Sequence, residues 1–176
     1  MHNLDDLKFV RVIDPDIFAL VIPRYLFEQI KELDENMVDR IYKSATSIMT
    51  VPVVDEQGNV VGKLLKANVW IAALYDITNQ VKGFIWATFD IVEQRIFVQA
   101  CSVDKEYQSE DGEVMKKMVE YLRSLPISDE MKANIQMATI KPRAFERRGW
   151  TRTKNVLMEF KPDEKSEVTE PDNKDS

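Results

Sequence analysis

Few side chains in this 176-residue chain could do covalent or metal chemistry. The only histidine, His2, stands at the N-terminus, where chains fray. With no other imidazole there is no Ser-His-Asp or Cys-His site, and one histidine with one cysteine argues strongly against a zinc site. The only cysteine, Cys101, lies in the apolar run IFVQACSV, residues 96–103. A lone thiol there, with no histidine to activate it, fits a small core residue better than a nucleophile. It also leaves no internal disulfide to form, which suits a reducing cytoplasm. Asp90, Glu93 and Gln99 are the polar residues nearest the middle strands, and the two carboxylates are the candidate proton acceptors. Charges at strand ends are ordinarily just solvated, so the candidacy is a thin one.

Two charged stretches stand out. Gln108-Ser109-Glu110-Asp111-Gly112-Glu113 joins the run at 96–103 to a helical stripe, and serine and acids at that point read as a helix cap. Further on, Lys141, Arg143, Arg147, Arg148, Arg152 and Lys154 cluster, opposed only by Glu146. They read as a solvated helix face or as a dock for an acidic partner, protein or nucleic acid. The whole chain carries net charge −6, which argues against a general nucleic-acid coat.

These residues need elements to hold them. A hydrophobic fraction of 44% against 31% charged residues suits one globular domain with its own core. No run reaches the ~18 apolar residues a membrane span needs, and the polar, acidic start Met1–Lys8 does not read as a secretory signal. Lys8–Ile13 alternates as a first strand, and Asp14-Pro15 ends it and opens a helix. Apolar residues then recur at helical spacing from Ile17 to Leu33, with Pro23 as a kink or a fresh start. Met37, Val38, Ile41 and Ala45 predict a second helix. Val51–Val54 and Val60–Leu65 flank a hairpin turn at 55–59. Val69–Tyr75, Gly83–Ile91 and Ile96–Val103 follow as an antiparallel meander. Val114, Met115, Met118, Val119 and Leu122 mark one face of an amphipathic helix closed by Pro126. Asn134–Thr139 reads as a strand, Pro142–Arg148 as a short helix stopped by Gly149, and Trp150–Phe160 as a last strand. Residues 1–160 thus form one domain. Residues 161–176 form a polar, acidic tail with no apolar stripe to bury, expected to be disordered. A crossover helix at about 113–125 requires the strands at 96–103 and 134–139 to run parallel, and they should splay at one end.

Two stretches resemble the GNAT (Gcn5-related N-acetyltransferase) superfamily. Val103-Asp104-Lys105-Glu106-Tyr107-Gln108 is similar to the Val-x-Pro-Glu-Tyr-Arg run that ends the family's fourth strand. Ala144-Phe145-Glu146-Arg147-Arg148-Gly149-Trp150 is similar to the family's late helix, which closes on a Tyr-Glu-Lys-x-Gly-Phe type of sequence. The resemblance covers Lys8–Phe160. It implies an α/β (α+β) fold, with a mixed, mostly antiparallel sheet flanked by helices. It also implies acetyl-CoA as the acyl donor and an amine as acceptor. Its cofactor-binding residues would be Cys101, Ser102, Val103, Gln108, Ser109, Gly112 and Glu113. In the family, backbone N–H groups of a glycine-rich turn and the helix start behind it hold a pyrophosphate. Here Gly112 stands one residue late, and Glu110, Asp111 and Glu113 place carboxylates in the turn. Phe145 occupies the place of a family tyrosine that protonates the leaving thiolate, and phenylalanine has no proton to give. Asp90 and Glu93 are the candidates for the base. The basic cluster could serve the phosphates of CoA. Two functions stay open: an N-acyltransferase, and a non-catalytic domain of this fold used for binding or structure. In overall character the chain is similar to small GNAT-like proteins of tailed bacteriophages, which would place it in a host cytoplasm or a virion.

Overall fold

The computed structural model describes residues 4–31, 33–108, 112–138, 143, 146–147 and 149–151. The sequence's last strand at 150–160 and its tail at 161–176 lie almost wholly outside these residues. A five-stranded sheet in the order β1-β4-β5-β6-β7 forms the centre. Its strands are β1 (Lys8–Arg11), β4 (Val69–Tyr75), β5 (Val81–Asp90), β6 (Arg95–Val103) and β7 (Ile135–Met137). The first four pair antiparallel, and β7 joins β6 in parallel, as the helical crossover between them requires. It is therefore a mixed, mostly antiparallel sheet flanked by helices.

The central strands are apolar on both sides because both faces are covered. Ile71, Ala72, Ala73 and Leu74 of β4 are each fully buried in succession. On one face, Val69, Ile71, Ala73, Phe84 and Ala100 meet α1 (Phe18–Val21), α2 (Arg24–Glu28) and α3 (Glu35–Met49). On the other, Leu74, Ile85, Ala87, Ile96 and Val98 meet α4 (Glu113–Arg123) and α5 (Asp129–Ala133).

Each helix has a local reason to start. Pro23, in an extended conformation with ψ 136°, acts as the fresh start, so the run from Ile17 to Leu33 divides into α1 and α2 instead of forming one helix. Asp34 caps α3 by accepting the Met37 N–H at 2.7 Å. Val38, Ile41, Ala45 and Met49 then form its buried stripe. On α4, Val114, Met118 and Leu122 are buried, the face the periodicity marked. Helix α5 is an addition to the elements read from sequence. Ser128 caps it by accepting the Met131 N–H at 3.3 Å, and Asp129 and Glu130 fill its first turn.

The strands β2 (Thr50–Val54) and β3 (Val60–Leu65) form a separate two-stranded ribbon outside the main sheet. Asp55 organises its turn by accepting the N–H groups of Gln57 at 3.0 Å and Asn59 at 2.8 Å. No helix among the described residues is long and apolar enough to cross a membrane.

Candidate active site

One edge of β6 changes character half-way along. On the β5 side it stays paired to its end, Gly83 facing Val103. On the other side β7 pairs with it only at Ile96, Phe97 and Val98. From Gln99 to Val103 that second edge carries no strand among the described residues. The described pairing with β7 stops where β6 is also irregular: Trp86 faces Ala100 and Ala87 faces Val98, leaving Gln99 as an extra, bulged residue. The Gln99 side chain donates to Thr88 Oγ1 at 2.9 Å. A bulge of this kind re-aims backbone groups, and an edge without a partner strand leaves N–H and C=O groups for something else to bind.

Trp86 adds a second donor. It packs toward the α1–α3 side, beside the bulge. Its Nε1 is buried and has no hydrogen-bond partner among the described residues. A buried indole N–H left without a partner would cost about 1–3 kcal/mol. From residue type alone Trp86 reads as a core or partly buried anchor, because apolar packing and an orphaned N–H look the same in the sequence.

Past Val103 the chain is tied down from several directions. Asp104 donates its N–H to the Lys82 carbonyl at 2.6 Å and accepts the Tyr25 hydroxyl at 2.9 Å. Partial burial, then the Asp104 carboxylate, pushes Tyr25 up to about 12, so its hydroxyl keeps its proton at neutral pH. Lys82 is raised, first by its hydrogen bond to Glu106. Gln108 donates to the Val103 carbonyl at 3.0 Å and to Gln29 Oε1 at 3.1 Å. Helix α2 and its C-cap residue thus clamp the turn after β6 through Tyr25 and Gln29, two residues that the sequence did not single out.

Helix α4 begins behind this turn. Gly112 precedes it in the left-handed conformation, φ 67° and ψ 32°, which glycine adopts without strain. The first-turn N–H groups of a helix carry its positive partial charge. Glu113 stands in that turn, and Lys116 pairs with it. Ser109, Glu110 and Asp111 lie outside the described residues, so neither their capping nor a phosphate contact from Ser109 is described.

Among the described residues Ser102 and Val103 thus lie at the end of β6 beyond its pairing with β7, with Cys101 before them and Gln108, Gly112 and Glu113 following. Cys101 also lines a small apolar cavity with Met115, Met118, Met137 and Trp150. Asp90 and Glu93 are not brought to this place. Asp90 faces Arg95 at the far end of the β5–β6 ladder, roughly 24 Å from Val103 at ~3.4 Å per residue. The Glu93 N–H at 3.0 Å, then Arg95, holds the Asp90 carboxyl below the usual range. That carboxylate is a turn and ion-pair residue. Of the basic cluster, Arg143 and Arg147 are exposed, and Lys141, Arg148, Arg152 and Lys154 lie outside the described residues. Gly149, at φ 85°, ends the turn there as a C-terminal stop should.

No family model matches the sequence, and no curated protein matches it. Solved structures do match its shape. A protein described as a possible acetyltransferase from Clostridium difficile 630 is 16% identical, with a TM-score of 0.52, covering 89% of this chain and 97% of its own. A protein described as belonging to the GNAT family from Desulfovibrio desulfuricans is 14% identical, with a TM-score of 0.52 and coverages of 82% and 85%. A spermidine N-acetyltransferase chimera from Vibrio cholerae is 10% identical, with a TM-score of 0.54 and coverages of 89% and 87%.

Proposed function

The chain has the GNAT fold, and we propose that it uses that fold as an acyl-CoA-dependent N-acyltransferase, with acetyl-CoA as donor and a small amine as acceptor. The observation that carries this reading is the β6 edge. Among the described residues its pairing with β7 stops at a bulge, and it leads, through a clamped turn, to a left-handed glycine and a helix start. An extended thioester arm fits an unpaired strand edge, because its amides replace the missing strand's hydrogen bonds. A pyrophosphate fits the helix start behind it. Backbone N–H groups near Cys101–Val103 would polarise the thioester carbonyl. The amine nitrogen then forms a bond to that carbon, the C–S bond breaks, and the sulfur leaves as thiolate. With Phe145 in place of an acid, and Asp90 engaged elsewhere, the amine proton and the thiolate's proton pass through water. Positioning, not acid–base chemistry, would supply most of the rate.

The second reading, a binding or structural domain, draws on Glu113 at the helix start and on Phe145. Titration calorimetry with acetyl-CoA separates the two. Under the acyltransferase reading acetyl-CoA binds, and at ~100 times Kd it stabilises the fold by about 2.7 kcal/mol, raising Tm by several degrees. Asp111→Gly and Glu113→Gln should each tighten binding about two- to fivefold by removing a carboxylate beside the phosphates. No heat and no Tm shift at millimolar acetyl-CoA, in wild type and in both variants, would leave the binding or structural reading standing.

A further inference from the structure

The β2–β3 ribbon is unlike the rest of the molecule. An isolated two-stranded hairpin is marginal in water, and solvent-facing strands normally alternate apolar with polar residues. This ribbon does neither. Val51, Val54, Val60, Val61 and Leu64 are all exposed, Leu64 at 60%. They occupy both faces, since Val60 and Leu64 share one face of β3 and Val61 lies on the other.

Its two edges are not equivalent. On the β2 edge, Pro52 removes a backbone donor and obstructs a further strand. The β3 edge, VVGKLL, has no proline and only Lys63 as a charge. Gly62 sits in the middle of it. Its φ is not left-handed, and a Cβ built there would meet nothing within 4 Å. Among the described residues neither crowding nor backbone conformation requires glycine at that position. Glycine inside a strand weakens it and often marks the close approach of another backbone.

Charge is laid out along the ribbon in the same sense. Asp55 and Glu56 stand at the tip, and Lys63 and Lys66 stand toward the base. Neither lysine has an ion-pair partner among the described residues.

We propose that β3 is a self-association edge. Two copies of this chain pair antiparallel through β3 about a two-fold axis at Gly62, making a four-stranded ribbon in the order β2-β3-β3-β2. In that register Val60 of each copy faces Leu64 of the other. Each acidic tip, with Asp55 and Glu56, comes beside Lys66 of the other copy, so the complementary charges meet twice. The glycines oppose each other at the centre, and the proline edges face outward and stop further growth. A contact of this kind is isologous and closes at two. It also brings two copies of net charge −6 together at an element with a single lysine and no carboxylate in its strands.

Sedimentation equilibrium of the full chain tests the register itself. Wild type should sediment as a dimer at tens of micromolar. The double variant V60K/L64K puts lysine opposite lysine at both symmetric positions and should weaken the dimer more than tenfold. The double variant V60K/L64E has the same number of altered residues but sets lysine opposite glutamate, and should restore most of the association. At a concentration low enough to keep all three monomeric they should share one melting temperature, because both positions are exposed. A wild type that stays monomeric at 100 µM would overturn the proposal and favour a different partner for the ribbon. So would a V60K/L64K variant that still dimerises, or two double variants that behave alike.

Discussion

Replacing Phe27 by alanine is expected to remove about 3–5 kcal/mol of folding stability, the range for a fully buried aromatic ring. Phe27 has no exposed surface. Its ring lies edge-on to Phe18 at 5.9 Å and to Tyr42 at 5.7 Å, and tilted on Phe84 at 4.3 Å. One side chain therefore joins α1, α2 and α3 to the central strand β5. Aromatic pairs in such geometries add about 0.5–1.5 kcal/mol beyond burial, so the upper half of the range is the expected one. The loss should also reach the site, because α2 and its C-cap carry Tyr25 and Gln29, which hold the turn after β6. Leu20 on the neighbouring α1 is the comparison, being 86% exposed. Leu20→Ala should stay within about 0.5 kcal/mol of wild type. Urea unfolding at 25 °C reads both, and a Phe27→Ala loss below ~1 kcal/mol would mean that the cluster is no joint.

Gly83→Ala should be the most damaging single-methyl change near the site. A Cβ there would stand 2.7 Å from the Ser102 carbonyl oxygen and 3.3 Å from the Val103 Cα. Both are backbone, so no rotamer change relieves the contact, and the end of β6 must move away from β5. Overpacking of this kind costs about 1–3 kcal/mol, or a Tm drop of roughly 2–4 °C per kcal/mol. The same displacement shifts the carbonyl that Gln108 holds and the N–H groups near Cys101–Val103. Under the proposed function, acetyl-CoA affinity should fall more than tenfold at temperatures where the variant is still folded. A variant with wild-type melting and wild-type affinity would show that this close approach of β5 and β6 is dispensable.

The parts of the fold with a period were legible in the sequence. Val114, Met118 and Leu122 announce α4 by spacing alone, and the crossover it makes fixes the parallel sense of β7. Gly149 announces a stop. The short helix α5 also had a signal, Ser128 followed by two acids, but five residues are too few to show a stripe. The ribbon's strands were legible, but not their separation from the main sheet, since strand pattern does not say which sheet a strand joins. The clamp on the turn could not be read at all. Tyr25 meets Asp104, and Gln29 meets Gln108, each across 79 positions, and contacts so distant leave no local trace. The bulge at Gln99 is equally silent, because it is a register difference between two strands. Asp90 and Glu93 were chosen by proximity in sequence to the central strands, which says nothing about which end of a strand holds them, and Asp90 lies at the end of the ladder opposite Val103.

The wall of the unpaired edge is its weakest strand. Only three residues of β7 pair with β6, and none of the three is fully buried. Strand β5, in contrast, is bonded along both sides. Local opening free energies track such differences in pairing and burial. Amide hydrogens of Ile135–Met137 should therefore exchange with deuterium orders of magnitude faster than those of Phe84–Ala87. Under the proposed function, a slot bounded by a strand that lifts on its own could admit a bulky thioester and release it while the other four strands stay in place. Equal protection of the two strands would mean instead that the slot is rigid and that its width is set once, at folding.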